Sequence, residues 1–151
     1  MTAGLVVRPM RAEDVDGVFD MVTQLAAFHG DTPLLTGESL ALHCLGDDPW
    51  ARVIVAEQDG ALVGYAALVR LIKLQFSKRA LDLEHVFVVE EARGSGVGRA
   101  LVSAAVREAE RLGCAVVTVG THPENTGAQK AYLAMGFDAM DPPGPRFRLP
   151  L

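Results

Sequence analysis

The chain is poor in the residues that would make it anything but an intracellular-type globular protein. Among 151 residues there are two cysteines, Cys44 and Cys114, far apart in sequence. One bridge is the most they allow, so a small disulfide-held scaffold is excluded and both read as small core residues. Aromatic residues make up 6% of the chain and tryptophan occurs once. No apolar run is long enough to span a bilayer. Positive charge is also scarce: 14 Lys and Arg stand against 19 Asp and Glu, a net charge of −5. No basic cluster stands out, which argues against nucleic acid as a main partner. The start of the chain lacks a signal-peptide pattern, since Arg8, Arg11 and acidic residues follow a very short apolar run. The expectation is a reduced, cytoplasmic compartment.

What is present suits one domain over residues 1–151, half of it hydrophobic and so able to bury a core. Leu5–Pro9 reads as a first strand. Asp14 opens a helix to about His29, with Val15, Val18, Phe19, Val22 and Leu25 at helical spacing. Thr36 is a good N-cap for a second helix over 37–45, although Thr36-x-x-Ser39 is a near miss to a capping box. Arg52–Glu57 and Leu62–Leu71 read as strands joined at Asp59-Gly60, with Gly64 marking a bulge. Gln75–Arg79 reads as a turn and Leu81–Val89 as the next strand. A helix over 97–112, capped by Gly113, leads to a parallel strand at Ala115–Val119. A last helix spans 125–135, and Phe137–Met140 and Arg146–Leu149 are candidate final strands. The predicted fold is α/β, a mixed sheet with helices on both faces, in the order β-α-α-β-β-β-α-β-α-β-β.

The most informative stretch is Val86–Leu101. It reads as a buried strand, a turn with alternating Gly94, Gly96 and Gly98, and the start of a helix. Glycine lets the backbone take positive φ and approach a ligand closely. The helix start adds unsatisfied amides and the positive end of a dipole, which together suit phosphate. A P-loop is excluded because no Lys-Ser/Thr pair follows, and a dinucleotide fingerprint because its last glycine position is Arg99. A second pattern lies in the last helix, Asn125-x-x-Ala128-x-x-x-Tyr132-x-x-x-Gly136-Phe137. Its three named polar and small positions share one helix face.

The first pattern, R-x-x-G-x-G at Arg93, Gly96 and Gly98, resembles the coenzyme A pyrophosphate loop of the GCN5-related N-acetyltransferase family, and the second resembles that family's last helix. The likeness covers about Leu5 to Phe137. It implies an acetyl-CoA-dependent N-acetyltransferase working by direct transfer in a ternary complex. By resemblance, the backbone of Val86, Phe87 and Val88 meets the acetyl and pantetheine part. Gly94, Ser95, Gly96, Val97, Gly98 and Arg99 hold the pyrophosphate, and Asn125 and Ala128 line the pantetheine. Arg93 opens the loop motif and either shapes the loop or touches phosphate. Homodimers are common in the family, and nothing in these residues speaks to assembly.

Within that frame Tyr132 is the expected general acid. A thiol has a pKa of ~8.5 and tyrosine ~10, so a bonded phenol can protonate the leaving sulfur. Glu84 is the expected base, acting directly or through water on a protonated amine. Strict alternation puts Asp82, Glu84, Val86 and Val88 on one face of the strand and Leu81, Leu83, His85, Phe87 and Val89 on the other. Asp82 would then add negative potential. His85 reads as a satisfied core histidine unless a bulge switches the faces. His29, His43 and His122 show no metal-ligand spacing, so no metal is predicted. Neither cysteine has a partner constellation for an acyl-cysteine intermediate.

The segment Leu83–Val88 also resembles the L-E-D-x-[FY]-V segment of the diamine and polyamine branch. Histidine stands at 85 where that branch has aspartate, and His29 stands at an acidic position. Both changes weaken the polycation signal and keep the small-amine one. The expected acceptor is a primary amine of a small molecule. The alternatives are a protein N-terminus or lysine side chain, or a non-catalytic module that binds coenzyme A.

Overall fold

The computed structural model describes residues 4–151, in two compact units that meet in sequence at Gly120 and Thr121. The first unit carries β1 (Leu5–Pro9), α1 (Val15–Phe28), α2 (Gly37–Cys44), β2 (Arg52–Gln58), β3 (Ala61–Lys73), β4 (Lys78–Val88), α3 (Val97–Arg111) and β5 (Val116–Val119). The second carries α4 (Thr126–Ala134).

The sheet of the first unit runs β1-β2-β3-β4-β5. The first four strands are antiparallel to their neighbours, and β5 is parallel to β4. The parallel pair follows from α3, since a strand–helix–strand crossover returns the chain in its original direction. The β2–β3 turn forms at Asp59 and Gly60, whose φ values of 52° and 83° are the two positive angles a tight hairpin asks for.

Helices cover both faces. On one, Val53, Val55, Tyr65, Ala67 and Phe87 pack with Val18, Met21 and Leu25 of α1 and Leu40 of α2. Burying each of the Val, Leu, Met and Phe side chains contributes roughly 1.5–3 kcal/mol. The opposite face presents Ile54, Ala56, Ala66 and Leu68, and α3 buries Val97, Leu101, Val102, Ala105 and Ala109. Gly64 sets how closely α3 approaches. A Cβ there would stand 2.7 Å from the Phe87 carbonyl oxygen and 3.2–3.3 Å from Leu101 and Val97. The expected bulge is adjacent: Ala56 pairs with Gly64 and Glu57 with Leu62, so Val63 is the extra residue.

The start of α1 is tied to the sheet by an ion cluster that spans 49 residues of sequence. Arg8 donates to Asp14 at 2.6 and 3.0 Å and to Glu57 at 2.9 Å. Asp14 is buried and also accepts from the Arg11 backbone at 2.8 Å. The bond from Arg8 holds its carboxyl below the usual carboxylate range, against the opposing pull of burial.

Three expectations need correction. The hairpin of β3 and β4 is longer than the sequence suggests. It turns through a 3-10 segment at Leu74–Phe76 and left-handed Ser77, so the pairing reaches Lys73 and Lys78. The strands expected at Phe137–Met140 and Arg146–Leu149 do not form. Met140, Phe147 and Leu149 stay exposed, and Pro142, Pro143, Pro145 and Pro150 withhold the amides a ladder needs. Finally, strict alternation fails in β4. Leu68 pairs with Leu83 and Ala67 with His85, which leaves Glu84 as the extra residue of a bulge. Leu81 and Leu83 therefore share a face with Ala66, Leu68, Val86 and Val88, while His85 and Phe87 face α1 with Tyr65 and Ala67.

Candidate active site

In the first unit the site candidates run consecutively along the second half of β4, a 3-10 turn at Glu90–Ala92, and the start of α3. Two features of this run offer unused backbone. The first is an open edge. β5 pairs with β4 only as far as Leu83 opposite Val119, whereas β3 continues alongside to Val88. Beyond Leu83 the β5 side of β4, including Val86, Phe87 and Val88, has no strand partner among the described residues. The second is the α3 N-terminus. Gly94 and Gly96 hold φ of 78° and 93°, a region a side chain resists. Gly96 occupies the cap position and has no side chain to cap with. The first α3 amide with a partner in the helix is Ala100, bonded to the Gly96 carbonyl at 3.0 Å. The amides of Val97, Gly98 and Arg99 are thus the orphan donors of this end.

The two arginines of the loop do different work. Arg93 donates to the Val88 carbonyl at 2.9 Å, and its guanidinium lies 5.7 Å from the Phe87 ring centre. It fastens the loop back onto β4. Ser95 donates to the Ala92 carbonyl and tightens the same turn. Arg99 is exposed and has no ion-pair partner among the described residues. Its charge adds to the helix dipole where an anion would sit.

Glu84 is exposed on the bulge. Its neighbourhood includes Tyr65 of β3, His85 beside it, and Cys44 at the end of α2, all of which feel its charge. Burial raises the pKa of Tyr65 and of Cys44, and the Glu84 charge adds to both. The Cys44 thiol is therefore held in its unreactive protonated form. Burial lowers the His85 pKa, against the Glu84 charge and together with that of His29. Tyr65, 1% exposed, has its hydroxyl 3.0 Å from His85 Nδ1. Asp82 is fixed in place, with Thr118 of β5 donating to it at 2.6 Å.

In the second unit Asn125, Ala128 and Tyr132 lie along one face of α4, each half-buried. Asn125 is the N-cap, its Oδ1 accepting from the Ala128 amide at 3.1 Å. Tyr132 packs edge-on against Phe137 with ring centres 5.6 Å apart. Burial raises its pKa, so the phenol keeps its proton at neutral pH.

An open cleft of about 510 Å³ in the first unit, lined among others by Arg8, Asp14, Asp20 and Glu57, contains none of the predicted site residues. Both cysteines are free thiols. Among the described residues there is no group of three or more metal-type ligands, and no helix is long and apolar enough to cross a membrane. Sequence reasoning missed Tyr65 and the parting of β4 from β5. Both depend on strand register, which no local pattern announces.

Residues 23–137 match the acetyltransferase (GNAT) family. The chain is 34% identical over 136 residues to the aminoglycoside N(6')-acetyltransferase type 1 of Salmonella typhimurium, covering 87% of this chain and 90% of that protein. It is 25% identical over 144 residues to the thialysine N-epsilon-acetyltransferase of Sus scrofa, covering 89% and 84%. Its fold superposes on aminoglycoside acetyltransferase AAC(6')-Iy, bound to a bisubstrate analogue of coenzyme A, with a TM-score of 0.81, 26% identity, and 96% and 99% coverage.

Proposed function

The chain belongs to the acetyltransferase (GNAT) family and is an N-acetyltransferase, and on that premise we propose that it moves the acetyl group of acetyl-CoA to a primary amine of a small molecule, directly, in a ternary complex. The observation that carries the coenzyme part is the uncapped start of α3 beside the open edge of β4. The orphan amides of residues 97–99 with Arg99 suit a pyrophosphate. The unpaired β4 backbone suits the amide-bearing pantetheine arm, whose carbonyl and N–H groups can extend the ladder. Two of the relatives above are named for acceptors with primary amines, an aminoglycoside and thialysine, which supports a small-molecule amine here.

The chemistry asks for a deprotonated amine and a protonated leaving sulfur. The amine nitrogen attacks the thioester carbon, the C–S bond breaks, and the electron pair leaves on sulfur. Tyr132 supplies the proton to that sulfur; its raised pKa keeps it charged with one across the neutral range. Glu84, exposed on the β4 bulge, supplies the negative potential that draws in the ammonium form. Cys44, held protonated, does not enter, consistent with transfer without an acyl-enzyme.

The test is thiol release from acetyl-CoA against diamines, amino acids, aminoglycosides and short peptides. The expected result is release with one class of small amine, reduced at least ~10-fold by Tyr132→Phe with the acetyl-CoA KM unchanged. Release with peptides alone would move the acceptor to a protein, and no release alongside tight coenzyme binding would make the protein a binding module.

A further inference from the structure

The bulge in β4 does more than expose Glu84. Inserting one residue re-aims the side chains that follow, and here it pairs His85 with Ala67 on the α1 face, directly beside Tyr65. The two rings meet edge-on, 6.0 Å apart, with the phenol oxygen 3.0 Å from Nδ1. His85 is half-buried. One ring nitrogen is thus engaged by a buried hydroxyl, and Nε2 is the nitrogen left for another partner.

We propose that His85 is the group that takes the proton from the acceptor ammonium, and that Tyr65 is its positioning residue, holding Nδ1 so that Nε2 does the accepting. This rests on the acetyl-transfer reading above and divides the work of the acceptor side between two neighbours. Glu84 attracts the cation and His85 deprotonates it.

The groups around the imidazole favour that division. Glu84 stands beside it on β4, Tyr65 on β3, His29 after α1 and Cys44 at the end of α2. Burial lowers the His85 pKa from its ordinary 6.5, and His29 acts in the same direction against Glu84. The ring is therefore neutral at physiological pH, the form a base needs. A hydroxyl both donates and accepts. When Nδ1 carries the hydrogen it donates to the Tyr65 oxygen, leaving the lone pair on Nε2. Tyr65 itself holds its proton, because burial and the Glu84 charge raise its pKa.

The proton balance then closes. The ammonium gives one proton to Nε2, and the freed electron pair on nitrogen attacks the thioester carbon. As the C–S bond breaks, the sulfur takes the Tyr132 proton. The amine's second proton, lost as the amide forms, restores Tyr132. His85 passes its proton to water, so one proton is released per turnover.

The experiment is the pH dependence of kcat/KM for the amine in the wild type, His85→Gln and Tyr65→Phe, with NMR titration of the His85 imidazole in wild type and Tyr65→Phe. In the wild type the rate falls as pH drops through the His85 pKa, below 6.5. His85→Gln should lose that acid limb and at least ~10-fold in kcat, with the acetyl-CoA KM unchanged as the check on folding. Tyr65→Phe keeps the ring packing and removes the oxygen that stabilises the imidazolium. Its acid limb and the NMR midpoint should both move to lower pH. An acid limb that persists in His85→Gln, or a midpoint unmoved by Tyr65→Phe, would overturn the assignment. Absence of thiol release from the wild type with every amine is instead a failure of the acetyl-transfer reading, and the NMR midpoint still decides whether Tyr65 holds His85.

Discussion

Helices in this chain begin in two opposite ways. α2 starts behind Thr36, whose hydroxyl accepts from the Ser39 amide at 3.0 Å while Ser39 Oγ accepts from the Thr36 amide at 2.9 Å. α4 starts behind Asn125, which caps the Ala128 amide. α3, longer than either, starts behind Gly96 with no side-chain cap. A capped start places one of its orphan donors on the protein's own side-chain oxygen, and an uncapped one keeps it for another partner. α1 also lacks a side-chain cap, but it continues directly from a 3-10 turn at Ala12–Asp14. α3 differs in opening from a glycine loop beside the unpaired edge of β4, which leaves its first amides available to an anion.

The sharpest way to break that contrast is Gly96→Val. The residue sits at φ 93°, where a β-branched side chain is strained, and its side chain would crowd the amides of α3. Acetyl-CoA affinity should fall at least ~100-fold, or about 2.7 kcal/mol, by calorimetry. Affinity equal to wild type would remove the α3 start as the coenzyme site.

Gly64→Ala comes next and acts from underneath. The new methyl would meet the Phe87 carbonyl at 2.7 Å, a backbone atom that cannot rotate aside. Overpacking of this kind costs about 1–3 kcal/mol, read as a lower urea midpoint. Because the same methyl would also stand 3.2–3.3 Å from Leu101 and Val97 of α3, it would shift α3 against the sheet, and coenzyme affinity should fall with stability. A loss of stability with coenzyme affinity intact would show that the anion site tolerates a shifted α3.

Arg99→Gln tests charge without touching the backbone. It should weaken acetyl-CoA about tenfold, in line with the loss of one charge-assisted hydrogen bond, and reduce the salt dependence of binding. Arg93→Gln should behave differently, since Arg93 is bonded within the protein to the Val88 carbonyl and lies over the Phe87 ring. There the loss should appear in stability as well as in binding.

How much of this was legible beforehand depends on range. The glycine loop and the α4 pattern are local, set by residues a few positions apart, and their elements form where the spacing puts them. The element order through α4 follows from periodicity in the same way. What was not legible is pairwise. The β4 bulge depends on how Leu83 and His85 find Leu68 and Ala67, so alternation read along one strand put Leu81 and Leu83 on the wrong face. The Tyr65–His85 bond links positions 20 apart, and the Arg8–Glu57 bond links positions 49 apart. The alternation at Arg146–Leu149 looks like a strand, yet alternation only favours a strand when a surface is there to bury it, and Phe147 and Leu149 stay exposed.

The smallest effect belongs to the other side of the comparison, and it is the control that gives the larger ones meaning. Thr36→Ala removes the hydroxyl that holds the Ser39 amide and leaves that donor at the α2 start without its side-chain partner. The cost should be about 1 kcal/mol of stability. The Ser39 hydroxyl stands where Glu or Gln usually closes such a box, and it still reaches the Thr36 amide. Half the box therefore survives the substitution, which keeps the loss at the low end. Acetyl-CoA affinity should stay at the wild-type value, because the α2 cap serves only its own helix. Ser39→Ala should cost a similar amount, and the double variant less than the sum, because both hydroxyls act in one reciprocal pair. Additive losses would mean the two bonds are independent. A change in coenzyme affinity in either variant would mean that α2 and the α3 start are not separable, and the division between capped and uncapped helices would lose its functional meaning.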